Sequence, residues 1–262
     1  MTYEYLIVEE RGPVLWVTMN RPGSLNSLIA PMITEMRTLF QGLPDRWDIR
    51  VVVLTGAGRG FCSGADLHSG TDMGPDVGTA VLKNQRAISE VIIAMRRCPQ
   101  PIISLVNGPA AGGGFAFALA SDVRIATPTA KMNAAFIKIG LSACDVGVSY
   151  FLPRMVGASV TAELMLTGRF ICPERALSLG LVSAVVPPEE LIAEGEKLVA
   201  EMLEATPMGL RLTKECVNHA IDAQGLEAAI AMEDRNQVIA FQTKEFVERK
   251  DAFMEKRPPN YA

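Results

Sequence analysis

Histidine is scarce in this chain: His68 and His219 are the only two among 262 residues. A histidine-rich metal centre is therefore not expected. The five cysteines, Cys62, Cys98, Cys144, Cys172 and Cys216, are odd in number and scattered, and no two are spaced as C-x-x-C. Reduced thiols fit that pattern better than a disulfide framework or a zinc site. No apolar run reaches the roughly 18 residues that span a bilayer; the apolar stretch 110–120 is too short and is broken by three glycines. No dense basic stripe accompanies the formal net charge of −4, which leaves nucleic-acid binding without support. An anionic ligand would have to meet a local basic spot or backbone donors. The opening Met-Thr-Tyr-Glu-Tyr is neither an Arg-rich transit segment nor a secretory signal, and the closing Pro-Asn-Tyr-Ala is no peroxisomal address. A cytoplasmic location is the expectation.

What the chain does have is apolar mass, 49% of its residues. That is enough for one large domain, or one domain with a small appendage. Two apolar runs, 5–8 and 14–19, flank Arg11-Gly12-Pro13 and predict a β-hairpin. Met32, Ile33, Met36, Leu39 and Phe40 recur at helical spacing over 30–43, with Pro31 near the start where proline is tolerated. The β-branched run 51–55 and the runs 102–106 and 123–125 predict buried strands. Residues 70–78, rich in Gly, Asp and Pro, predict a mobile loop, and 80–97 a helix. Beyond Pro188 the pattern is helical over 189–205, 208–220, 226–241 and 243–256. The chain thus divides into an α/β core over residues 1–200 and a helical region over 201–262.

Two glycine-rich stretches follow predicted strands. Gly60-Phe61-Cys62-Ser63-Gly64-Ala65-Asp66-Leu67 comes after 51–55 at the distance of a strand-end loop. Asn107-Gly108-Pro109-Ala110-Ala111-Gly112-Gly113-Gly114-Phe115 joins the strand 102–106 to a short apolar helix. Glycines expose backbone N–H groups without a covering side chain. At a helix start they add the positive end of the dipole, a place for an anion or for an oxygen gaining charge. Each loop alone is equally readable as an ordinary turn or as close packing. The second is neither a Walker A loop nor a dinucleotide fingerprint, because it has no following Lys-Ser/Thr and no G-x-G-x-x-G.

Taken together, these loops resemble those of the crotonase (enoyl-CoA hydratase/isomerase) superfamily. Other stretches join the resemblance in order along nearly the whole chain. They are Asn20-Arg21-Pro22 with Leu25-Asn26-Ser27, Val53-Leu54-Thr55-Gly56, Leu166-Thr167-Gly168, the stretch 176–180 with Leu181-Val182, and the ending 252–257. The resemblance implies a spiral of β-β-α units whose C-terminal helices pack trimers, often as hexamers. It implies an acyl-CoA thioester as the substrate, with coenzyme A bent, its thioester between the two loops, and no tightly bound cofactor beside it. By motif position the N–H groups of Ala65 and Gly113 would hold the thioester oxygen. Arg21, Ser63, Asp66, Leu67, Gly112 and Phe136 would line the substrate or coenzyme A site. Phe253 and Lys256 match positions that reach coenzyme A across a subunit boundary.

The chain also departs from the family pattern. Hydratases of the family place one glutamate where Ala116 stands and a second where Phe136 stands. Without that pair, water activation and proton transfer lack their usual groups. Asp145 offers another acid. It precedes Tyr150 by five residues and Arg154 by nine, the spacing of the nucleophilic aspartate in the 4-chlorobenzoyl-CoA dehalogenase branch. The bland alternative is an N-cap for a helix starting near Val146. Three readings stay open here: enolate chemistry of the hydratase/isomerase kind, Asp145-dependent hydrolysis or dehalogenation, and acyl-CoA binding without catalysis. Asp66 is the next candidate acid. Cys62 and Cys144, beside the loops, read as structural thiols.

Overall fold

The computed structural model describes residues 2–68, 77–223 and 225–261. The strands are β1 (Leu6–Arg11), β2 (Val14–Met19), β3 (Val51–Gly56), β4 (Ile102–Val106), β5 (Ala110–Ala111), β6 (Val123–Ala126), β7 (Met132–Asn133) and β8 (Ala184–Val185). Six of them form one sheet in the order β1-β2-β3-β4-β6-β8. β1 and β2 make the predicted hairpin and pair antiparallel; every other pairing in this sheet is parallel. All residues of β3 and β4 are buried, which explains their unbroken apolar runs: an inner parallel strand is covered on both faces.

Alternate residues of a strand serve opposite faces. Val52 and Leu54 join the larger core, which contains Met36 and Phe40 of α1 (Ala30–Gly42), Met95 of α2 (Val77–Arg97) and Phe117 of α3 (Gly113–Ala120). All eight residues of α3 are buried. Next along the chain come α4 (Val148–Val156), α5 (Ala158–Thr167), α6 (Pro173–Ser178) and α7 (Leu191–Leu203). Val51, Val53, Ile103 and Leu105 face the other way and pack with Leu191 and Val199 of α7. Burying one such aliphatic side chain contributes about 1.5–3 kcal/mol, so both faces of the sheet are driven closed.

A second, thinner layer positions the site. After β2, β3 and β4 the chain makes a short extended rung before its next helix. Leu28 bridges Ala65, Cys62 bridges Ala110, β5 pairs β7, and Met132 bridges Ile171. The result is the expected spiral of β-β-α units. These rungs are one or two residues long and carry no strand signature, so the sequence reading did not mark them as strands. The loop expected over 70–78 lies outside the described residues up to 76; Val77 and Gly78 already belong to α2.

The helical tail comprises α8 (Pro207–Ala220), α9 (Leu226–Phe241) and α10 (Lys244–Glu255). Two α8 side chains are buried and both are cations. Lys214 Nζ donates to the carbonyls of Met95 and Gln100 and pairs with Asp122 at 2.8 Å. Arg211 donates to the carbonyls of Pro44 and Arg46. Asp122 is a junction: it also accepts from the Ile102 N–H and from Arg96. No α9 residue is buried. Among the described residues no helix is long and apolar enough to cross a membrane.

Asn26 ties the first rung to the loop after β3. It is fully buried at φ 56°, a left-handed conformation that asparagine tolerates. Its Nδ2 donates to the carbonyls of Ala57, Gly60 and Phe61, and its Oδ1 accepts from the Arg21 N–H. Asn26→Ala leaves these groups buried without partners and should cost about 2–4 kcal/mol. Urea titration measures this, and an unchanged midpoint would refute the role.

Candidate functional site

The loop leaving β3 and the loop leaving β4 meet backbone to backbone. The Ala111 N–H donates to the Cys62 carbonyl at 2.9 Å. A side-chain carbon at Gly114 would lie 2.0 Å from that carbonyl oxygen, and one at Gly64 would lie 2.7 Å from the Ala111 oxygen. Gly64 also has φ 85°. Only glycine permits this approach at either position. The side-chain amide of Asn107 steadies the first loop by donating to the carbonyls of Gly56 and Gly58.

That contact fixes two N–H groups. The Leu28 N–H donates to the Gly64 carbonyl and the Asp66 N–H donates to the Leu28 carbonyl. Ala65, bracketed by those two bonds, therefore turns its own N–H away from Leu28. Gly113 is the first residue of α3, where N–H groups have no partner within the helix. Among the described residues no acceptor is bonded to either N–H. The position a Gly64 side-chain carbon would take is 3.4 Å from the Gly113 nitrogen, so the two donors are close neighbours. Two such donors beside a helix start can hold one partly charged oxygen.

Both residues line a cavity of about 900 Å³. Its walls include Leu28, Ile33, Ile88, Phe136, Ile139 and Leu141, and Ser63, Asp66, Leu67 and Gly112 line it as well. The Phe136 ring lies against Gly112, 3.5 Å from where a side-chain carbon would sit. Among the described residues two carboxylates reach the cavity, Asp66 and Asp145. Asp66 is engaged: Arg21 pairs with it at 2.9 Å, and the Ser27 hydroxyl and the His68 N–H donate to it. The Arg21 guanidinium first, then the Ser27 and His68 donors, hold its pKa below the usual carboxylate range. Asp145 is half-buried and accepts at Oδ1 from the Val146 N–H at 2.8 Å and from the Gln85 side chain.

One sequence expectation changes here. Asp145 is not an N-cap: α4 begins at Val148, behind Gly147 in a left-handed conformation, with no side-chain cap. Arg21, expected to line the substrate or coenzyme A site, points its guanidinium at Asp66 and Ser27. Phe253 and Lys256, at the end of α10, are exposed and do not line their own chain's cavity. Ala116 lies inside α3 and is fully buried. Burial pushes the Cys62 thiol up to about 12, which leaves it a protonated packing group. Gln85 went unmarked because a lone glutamine in a helical run reads as a solvated face. Among the described residues no group of three His, Cys, Asp or Glu side chains could hold a metal ion.

The sequence profile described as "Enoyl-CoA hydratase/isomerase" matches residues 9–262. This chain belongs to the enoyl-CoA hydratase/isomerase family. It is 40% identical over 253 residues to a protein named a probable enoyl-CoA hydratase from Mycobacterium leprae, covering 95% of this chain and 86% of that one. It is 32% identical over 262 residues to the 1,2-epoxyphenylacetyl-CoA isomerase of Escherichia coli, covering 98% of each. The crystal structure of an enoyl-CoA hydratase from Bacillus anthracis superposes with a TM-score of 0.93 at 31% identity, covering 98% of this chain and 99% of that one. The protein is thus a family enzyme with a crotonase fold.

Asp66 makes one property of this family member measurable. Its depressed pKa means that its ion pair stabilises the fold above the ordinary aspartate range. That contribution is lost as pH falls through the lower folded value. Asp66→Asn should lower the melting temperature at neutral pH, and the deficit should shrink as pH drops below 3.8, the ordinary aspartate value. A deficit constant down to low pH would overturn the pairing.

Proposed function

We propose that this family member isomerises an unsaturated acyl-CoA by moving one proton with Asp145. The observation that carries this reading is the composition of the cavity. Among the described residues it offers two unbonded N–H groups and one carboxylate with an unengaged oxygen amid apolar walls. The Ala65 and Gly113 N–H groups receive the thioester oxygen as charge develops on it, which favours the enolate over the ground state. Asp145 takes the proton from the α-carbon of a β,γ-unsaturated thioester. The resulting dienolate is reprotonated at the γ-carbon by the same carboxyl group, leaving the α,β-unsaturated ester. A single acid suffices for that shuttle. Hydration in this family uses two carboxylates, and the positions of both are filled here by Ala116 and Phe136. The Phe136, Ile88 and Leu141 walls keep water from the dienolate.

Coenzyme A enters as part of the substrate, and no tightly bound cofactor is required. Ser63, Asp66, Leu67 and Gly112 shape the mouth around it. Arg21 acts by holding the Ala65 loop through Asp66. Phe253 and Lys256 serve a neighbouring subunit. Residues 201–262 assemble the protein as a trimer or hexamer, in line with exposed Leu226, Phe241, Phe253 and Met254. The E. coli relative, named an isomerase, supports the reaction class.

The test uses trans-3-hexenoyl-CoA, following the conjugated product and solvent deuterium uptake. Asp145→Asn should lower turnover at least about 10²-fold. Gly113→Pro removes one donor, presses on the Leu28 side chain at the helix start, and should cost about 10²–10³-fold. Full activity in either folded variant would overturn its assignment. A covalent acyl adduct on Asp145 would select nucleophilic hydrolysis instead, and tight binding with no turnover across a panel of esters would select a binding protein. Light scattering should find a trimer or hexamer at micromolar concentration; a stable monomer would refute the assembly.

A further inference from the structure

α2 runs along the cavity and turns Val81, Asn84, Gln85 and Ile88 toward it, the i, i+3, i+4, i+7 face of one helix. Gln85 stands opposite Asp145 and donates to its Oδ1. An ionised carboxylate only accepts, so the Gln85 atom in contact is the amide N–H. The Val146 N–H donates to the same oxygen from the other side. Val146 does so at φ 38°, a conformation that β-branched residues rarely adopt. Among the described residues Oδ2 accepts no hydrogen bond.

We propose that Gln85 is a positioning residue: it fixes the Asp145 carboxylate in one orientation and leaves Oδ2 presented to the substrate. This rests on the reading of Asp145 as the proton-transferring group. The torsion that rotates an aspartate carboxylate is broad and roughly two-fold, so one backbone donor leaves the group free to rock. A second donor at the same oxygen, from a different element, removes that freedom. Proton transfer needs the acceptor within hydrogen-bond reach of the carbon-bound proton, and displacement of about 1 Å at a reacting group costs on the order of 10²-fold. Gln85 makes its contribution through Asp145 and not by binding the thioester, which lies at the Ala65 and Gly113 end.

Gln85→Met keeps length and helix propensity and removes the donor. With trans-3-hexenoyl-CoA it should lower kcat about 10-fold or more while KM stays within about two-fold of the parent. Gln85→Glu, equally long but able only to accept at neutral pH, should lose at least as much. Gln85 is exposed on α2, so both variants should keep the parent melting temperature. The deciding measurement is a double-mutant cycle. If Gln85 acts through Asp145, Gln85→Met combined with Asp145→Asn should be no slower than Asp145→Asn alone. Parent kcat in Gln85→Met, or losses that multiply in the double variant, would overturn the positioning role. An active Asp145→Asn would instead overturn the underlying assignment of the acid, an outcome readable in that single variant.

Discussion

The structure depends on the approach of two backbones, the Cys62 carbonyl against Gly114 and the Ala111 carbonyl against Gly64. No side chain fits between them. β3 and β4 are neighbours in a parallel sheet, so both loops leave at the same edge. The Cys62–Ala110 and Leu28–Ala65 bridges then hold the loops in register. The unbonded N–H groups of Ala65 and Gly113 follow from that register, and so does the start of α3 at Gly113. Asn26 and Asn107 stiffen the arrangement by using side-chain amides to satisfy loop carbonyls that would otherwise lack partners.

How legible this was in sequence varies by element, for physical reasons. β3 and β4 are continuous apolar runs because both faces are covered, and α1 and α10 carry clear periodicity, so their bounds were expected to within a residue or two. The second layer was not legible. A rung of one or two residues, such as β7, has no period to read. α4 begins two residues later than expected because Gly147, and not Asp145, makes the turn into it. The close approach of the two loops was legible where backbone geometry demands glycine, at Gly64 and Gly114. The site was illegible where a polar side chain acts on a distant partner: Asp122 binds a helix nearly a hundred residues later, and Gln85 meets Asp145 across the cavity.

The C-terminal region meets the core in an unusual way. α8 buries Lys214 and Arg211, both of which donate to carbonyl oxygens, with Lys214 also paired to the Asp122 carboxylate. Hydrophobic packing tolerates sliding, whereas hydrogen bonds from buried cations are directional and costly to break. The helix is therefore fixed at one angle to the core. α9, none of whose residues is fully buried in its own chain, follows that anchored base.

In the proposed reaction the oxygen-binding donors belong to the main chain, and the acid belongs to a side chain. This division has a consequence for how such a protein drifts under mutation. Nearly every codon change at Ala65 leaves its N–H in place, so the capacity to grip a carbonyl oxygen is shielded from most substitutions there. A single nucleotide change can erase a carboxylate at Asp145 without disturbing the frame around it. Recognition on this scaffold is mutationally robust and its chemistry is fragile, which allows one durable cradle to host a succession of reactions.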